Sequence, residues 1–246
     1  MTQRLARICR HPIKAHGRED LASVLLSAGA CLPGDRRWAV AHEAAKLVPG
    51  WNPCSNFHRG AKAPQLMAIT AELQGNAVTL RHPQRPDLTF HPDDPADLLG
   101  FLDWIAPLSP KERAQPKQIV SAPVGMTDSA FPSVSILSSS SLATLSESMG
   151  TCLSADRFRG NLWLNGAEPF AEFDWIGRDI ALGDAILTIK ERITRCRATM
   201  TNPETGQVDA DTLAALKTGY GHQDFGVYAV VKQGGTITLN DEWSLS

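Results

Sequence analysis

Cys196 stands among four cations in the stretch Lys190-Glu191-Arg192-Ile193-Thr194-Arg195-Cys196-Arg197. Nearby positive charge favours the thiolate, which is both the nucleophile and the metal-binding form of cysteine. On a regular strand Arg195 and Arg197 face away from Cys196, so their help needs a turn or bulge, or acts through the longer-range field. The same cysteine also fits a half-buried structural thiol. A second stretch, Asp156-Arg157-Phe158-Arg159-Gly160-Asn161-Leu162, puts Arg157, Arg159 and Asn161 on one face if it is extended. Two guanidiniums and an amide suit a phosphate or an electron-rich heterocycle. A solvated strand face paired with acids reads the same way. A third group, His11-Pro12-Ile13-Lys14 and Gly34-Asp35-Arg36-Arg37-Trp38, offers Lys14 on a loop after the first strand and Arg36 or Arg37 at a turn.

The elements that must position these residues are mostly strands. Short alternating apolar runs at residues 4–8, 21–26, 37–41, 77–81 and 88–91 predict strands, separated by turn signals such as Leu32-Pro33-Gly34-Asp35 and Gln74-Gly75-Asn76. Residues 93–105 predict a helix with Pro95 in its first turn. Residues 106–117, with three prolines among charges, read as a linker or a crossing between two lobes. Beyond it, residues 133–137 form a strand that runs into Ser138 to Ser141 and a helix over 142–149. Serines cap helix N-termini, and a strand feeding a helix start can hold an anion. Further strands are expected at 160–164, 179–182 and 185–191, and a short helix at 210–216. Residues 225–231 and 236–239 around Gln233-Gly234-Gly235 read as a hairpin. Many short strands with few helices point to barrel-like architecture.

Bulk properties narrow the function classes. The 246 residues carry a net charge of −2, which gives no bulk attraction to nucleic acid. No apolar run is long enough for a membrane helix, and residues 1–10 lack the apolar centre of a signal peptide. Five cysteines, at 9, 31, 54, 152 and 196, are widely spaced and odd in number. That argues against a disulfide framework and a structural zinc site, and for a reducing, cytoplasmic setting. No Walker, dinucleotide-binding or Gly-x-Ser-x-Gly pattern is present.

Taken together, these stretches resemble the MOSC family, named for the C-terminal domain of molybdenum cofactor sulfurase. Pro12-Ile13-Lys14 and Gly34-Asp35-Arg36-Arg37-Trp38 resemble the N-terminal β-barrel module that precedes MOSC domains. Residues 135–145 resemble the family's strand and serine-capped helix, Arg157-Phe158-Arg159-Gly160-Asn161 its Arg-Phe-Arg-Pro-Asn stretch, and Pro169-Phe170-Ala171-Glu172 with Trp175 its Pro-Phe-x-Glu-x-x-Trp stretch. Thr194-Arg195-Cys196 with Asn202-Pro203-Glu204-Thr205-Gly206 resembles the cysteine motif and its following turn, and Phe225-Gly226-Val227-Tyr228-Ala229 the closing strand. Three positions depart from the pattern: Ala15 where serine is common, Gly160 for proline and Asn202 for aspartate.

The resemblance implies a mainly β fold with some α: a MOSC-type β-barrel, residues 116–246, preceded by and interlocked with a smaller β-barrel module, residues 1–115. It also implies a molybdenum–molybdopterin cofactor with Cys196 as the metal's protein ligand. Cofactor contacts carried over by motif fall on Lys14, Arg36 or Arg37, Ser138, Ser141, Arg159, Asn161 and Thr194. Reduction of small N-hydroxylated substrates follows from the same resemblance. Electrons would come from a separate donor protein, a ferredoxin or flavoprotein reductase, and neither nucleic acid nor membrane is an expected partner. The alternative is a metal-free sulfur carrier holding a persulfide on Cys196.

Overall fold

A computed structural model describes residues 2–246. The strands are Arg4–Arg10 (β1), Ile13–Lys14 (β2), Glu19–Leu21 (β3), Ser23–Leu26 (β4), Trp38–His42 (β5), Thr70–Gln74 (β6), Ala77–His82 (β7), Arg85–Phe90 (β8), Pro116–Ser121 (β9), Val134–Ser138 (β10), Leu162–Asn165 (β11), Asp179–Leu182 (β12), Ala185–Thr194 (β13), Asp224–Gln233 (β14), Gly235–Thr238 (β15) and Trp243–Leu245 (β16). The helices are Leu98–Ile105 (α1), Ser139–Met149 (α2) and Thr212–Tyr220 (α3). The fold is mainly β, as the alternating runs require.

Eight strands form one sheet in the order β16-β12-β13-β14-β10-β11-β1-β3. Its inner face is built from alternating residues such as Ala185, Leu187 and Ile189 on β13 and Val227, Ala229 and Val231 on β14, all buried. The sheet curls until its ends approach. Arg4 bridges Glu242, and the amide of Leu5 donates to the Asp241 carbonyl at 2.8 Å. A second core gathers β5, β6, β7, β8 and α1 around Trp38, Phe90 and Phe101.

The two cores are laced together. β1 lies in the large sheet, antiparallel to β11, whereas β9 pairs antiparallel with β5 on the other side. Each lobe therefore holds a strand from across the residue-115 boundary. Asn161 sits at this crossing. Its side-chain amide donates to the Cys9 carbonyl at 3.1 Å and its Oδ1 accepts from the Ser135 amide at 3.1 Å and hydroxyl at 2.8 Å.

Four sequence expectations change. The hairpin over 225–239 does not form: β14 pairs with β10 and β13, while β15 pairs with β4. Gly234 and Gly235 serve close approach instead of a turn, since a Cβ on Gly235 would lie 2.3 Å from the Asp184 carbonyl oxygen. Residues 155–158 form a tight 3-10 turn, not a strand. Ser154 Oγ caps it, and Arg159 follows in left-handed backbone at φ 47°. The helix expected from 93 begins at Leu98, because Pro95 and the side chain of Asp97, which accepts from the His91 amide at 2.7 Å, hold the preceding residues in turns. The proline-rich stretch ends in strand β9, whose first residue is Pro116, a position where proline removes no needed donor.

Candidate functional site

The seam between the lobes collects cations. Lys14 reaches it on β2, held parallel to β5 by register with Ala39. Its ammonium is buried and donates to the Met126 carbonyl at 2.9 Å and to Asp128 Oδ1 at 2.5 Å. Arg36 follows the Pro33-Gly34 turn with φ 49°. It pairs with Asp35 and donates from Nη2 to the Arg159 carbonyl at 3.1 Å. Arg159, from the other lobe, returns a bond from Nη2 to the Gly17 carbonyl at 3.0 Å, while its Nη1 is buried without a partner. Arg195 completes the set. It packs half-buried against the rings of Phe158 and Phe225 and donates to the carbonyls of both residues.

Two buried cations, Lys14 and Arg36, and two half-buried ones, Arg159 and Arg195, thus share the carboxylates of Asp35 and Asp128. The electrostatics record the imbalance. Burial would lift Asp35, but Arg36 and His11 hold it well below the usual carboxylate range. Lys14 and Arg36 likewise hold Asp128, whose side chain is half exposed, below the usual carboxylate range. Arg159 and Arg195 lack a carboxylate in direct contact. Burial, with Arg36 adding repulsion at both, lowers each to about 10. An anion arriving here would relieve both.

Cys196 lies at the other end of Arg195. It follows β13, is exposed, and begins a 3-10 turn over Arg197–Met200 without capping it through its side chain. Its carbonyl accepts from the amide and hydroxyl of Thr199, both at 3.1 Å, which fixes the loop behind the thiol. Arg195 directly precedes Cys196, and its guanidinium lies within electrostatic reach of Asp128 on the seam. Burial and Asp128 push the Tyr228 phenol up to about 12. Among the described residues no three His, Cys, Asp or Glu side chains converge on a metal-binding point. A metal at Cys196 would need its other ligands from a bound cofactor.

The motif serines and neighbours are placed unequally. Ser138 caps α2, accepting from the Ser141 amide at 3.4 Å. Ser141 donates to the buried carboxyl of Glu172, at 2.9 and 3.0 Å, and accepts from the Phe170 amide. Asn161 is saturated by the lobe crossing. Thr194 is exposed and donates to Asp224 at 2.6 Å. Arg37 turns away from the seam, over the Trp38 ring and towards Asn76 and Asp93 on the surface. Arg157, expected on a face with Arg159, instead pairs with Asp209 at 2.7 Å because the 3-10 turn breaks the alternation. Asp35, Asp128 and Arg195 were absent from the cofactor contacts that the motif resemblance implied. The cue for Asp35 was its adjacency to Arg36; Asp128 carries no local signal.

Two domain models match this chain: the MOSC domain over residues 127–244 and the MOSC N-terminal beta barrel domain over residues 2–100. The chain is a MOSC-domain protein. It is 35% identical over 90 residues to a molybdenum cofactor sulfurase of Anopheles gambiae, covering 36% of this chain and 10% of that one. It is 31% identical over 118 residues to the human mitochondrial amidoxime-reducing component 1, covering 43% of this chain and 34% of that one. The matched parts are thus a minor share of either relative. A solved structure of the Bacillus subtilis YUAD protein aligns over 100% of this chain and 96% of its own, with 12% identity and a TM-score of 0.49.

In this MOSC protein the seam cations come from both domains, Lys14 and Arg36 from the first and Arg159 and Arg195 from the second. Two departures from the motif pattern have structural causes. A Cβ on Gly160 would lie 2.2 Å from Leu137 Cδ1, so the glycine answers to close packing. Asn202 makes the turn itself, its Oδ1 accepting from the Glu204 amide at 2.8 Å. Two cavities, of about 280 and 520 Å³, lie away from Cys196, one beside Cys31 and one at the C-terminal half of α2. No described helix is long and apolar enough to cross a membrane.

Proposed function

We propose that this chain holds a molybdenum–molybdopterin cofactor in the seam, with the Cys196 thiolate as the metal's protein ligand, and reduces N-hydroxylated compounds. The observation that carries this reading is a free, exposed thiol directly after Arg195, one of a cluster of buried and half-buried cations that contains a buried, unpartnered donor, Arg159 Nη1. An anionic cofactor fits that cluster, because it would take the open guanidinium donor and offset the excess positive charge. Arg159, Arg36 and Lys14 would hold its anionic groups.

When bound, the cofactor supplies two-electron redox chemistry. Overall, an N–OH group, two electrons and two protons give N–H and water. The electrons come from a separate donor protein of the ferredoxin or flavoprotein-reductase class. The protein's own part is to hold the cofactor, to leave Cys196 open on the solvent side, and to orient the substrate. The exposure of Cys196 also suits a second reading, a sulfur carrier with a persulfide at that thiol. Metal analysis of freshly purified protein, together with reduction of a simple amidoxime, tests the first. Molybdenum near one atom per chain with turnover supports it. A metal-free protein that labels as a persulfide at Cys196 replaces it with the second.

A further inference from the structure

Behind the seam lies a thiol–imidazole–carboxylate arrangement. Cys9 Sγ is 3.7 Å from His11 Nε2, and His11 Nδ1 is 3.3 Å from Asp35 Oδ1. Its shape is that of a nucleophilic triad. Its environment excludes that role. All three side chains are buried. Burial pushes the Cys9 thiol up to about 12 and, with Arg159 adding repulsion, pulls the His11 imidazole down to about 3. A thiol that does not ionise beside a base that does not accept a proton cannot attack anything.

The hydrogen bonds lead elsewhere. An ionised carboxylate only accepts, so His11 Nδ1 carries the proton and Nε2 faces the Cys9 thiol as acceptor. Asp35 Oδ1 therefore takes two donors from one residue, the His11 ring and the His11 amide, the latter at 2.7 Å. Asp35 Oδ2 takes the Arg36 guanidinium. The Arg36 amide donates back to the His11 carbonyl at 2.6 Å. Arg36 then crosses the seam to the Arg159 carbonyl, at the residue whose left-handed backbone aims the unpartnered Nη1.

We propose that His11 and Asp35 are positioning residues for the anion site: they fix the orientation of Arg36, and through Arg36 the backbone and guanidinium of Arg159. This rests on the seam being an anion site, not on which anion fills it. Neither residue touches the ligand. Their effect is to keep two guanidiniums preorganised, so that little order is lost when an anion binds.

The test measures binding of inorganic phosphate to cofactor-free protein, alongside molybdenum content of the same variants made in a cofactor-producing host. His11→Phe keeps the ring volume and removes the Nδ1 donor. It should stay folded and bind phosphate about tenfold more weakly, the scale of one lost hydrogen bond to a charge. His11→Asn restores a donor near the Nδ1 position and should return affinity to within about threefold of wild type. Asp35→Asn should weaken binding further, and His11→Phe keeps the test decisive if that variant does not fold. Wild-type affinity in His11→Phe overturns the proposal, as does a failure of His11→Asn to rescue a folded His11→Phe loss. If wild type binds phosphate and these variants behave as stated while no preparation carries molybdenum, the proposed function fails and the positioning role stands. If folded wild type binds no phosphate, the positioning role falls.

Discussion

Cys9 and Cys196 sit in similar sequence, Arg7-Ile8-Cys9-Arg10 and Arg195-Cys196-Arg197, and the fold gives them opposite chemistry. Cys9 is inside a strand paired on both edges, by β11 and β3, with its thiol against a neutral imidazole. Its flanking arginines are spent on Asp20, Asp156 and Glu19. Cys196 lies just past the end of its strand, where the chain turns and the side chain meets solvent. Its preceding arginine spends its donors on neutral carbonyls and has no carboxylate in direct contact. Flanking cations in sequence therefore say little about a cysteine. What matters is whether those cations have already been neutralised and whether the sulfur can be reached.

The contrast can be broken at several points. The largest effect is expected at Cys196→Ser. Loss of an outer hydrogen-bond partner of a metal ligand costs about 10–100-fold, so loss of the ligand itself should exceed that in both molybdenum content and amidoxime reduction. The fold should survive, which circular dichroism checks. Full activity in the serine variant would make Cys196 as inert as Cys9. Next comes Arg159→Ala, which removes the open donor. Phosphate affinity of the cofactor-free protein should fall about 10–100-fold, with a matching loss of bound molybdenum.

A pH experiment sharpens the picture at Glu172, beside the start of α2. Burial lifts the Glu172 carboxyl to about 7, against donors from backbone amides and Ser141 that only partly hold it down. A carboxyl whose pKa rises on folding binds its proton more tightly in the folded state. Its stabilising contribution is full below its ordinary value of 4.5 and is lost as pH rises through about 7. Thermal melts of Glu172→Gln should therefore lack a fall of about 3 kcal/mol that wild type shows across that window. Equal slopes in the two proteins would remove the buried-acid account.

Two smaller effects complete the series. A thiol reagent should modify Cys196 and the exposed Cys152 in folded protein and reach Cys9 only after denaturation; mass mapping of the labelled peptides decides. Arg37→Ala, on the surface beside the seam, should shift stability by no more than about 0.5 kcal/mol and leave molybdenum content unchanged. A large loss there would mean that Arg37, not Arg36, faces the ligand.

Local patterns carried much of this molecule. Alternating apolar residues marked most strands of the large sheet, and the Ser138 cap with Gly150 in left-handed backbone bounds α2 much as a serine run before an apolar period suggests. What stayed hidden depends on partners far along the chain. Arg157-Phe158-Arg159 alternates like a strand, and only the Ser154 cap and the fit of Gly160 against Leu137 turn it into a tight bend. Gly234-Gly235 signals a turn and a close approach equally well, and Asp184 decides between them. Lys14 and Arg159 were legible as cations, but Asp128 as the partner of Lys14 lies 114 residues away, beyond any local rule.

The strand exchange between the lobes sets a timetable. β1 must wait for β11, and the Asn161 amide that clasps the Cys9 carbonyl is 152 residues downstream. At 5–20 residues per second, a ribosome needs roughly 8 to 30 s to deliver it. Throughout that interval β1 has no partner on its β11 edge, Arg36 has no carbonyl to cross to, and the seam does not exist. A ligand that needs cations from both lobes therefore cannot bind before the second lobe has been made. A β1 edge left bare in the meantime is where a chaperone would be most useful.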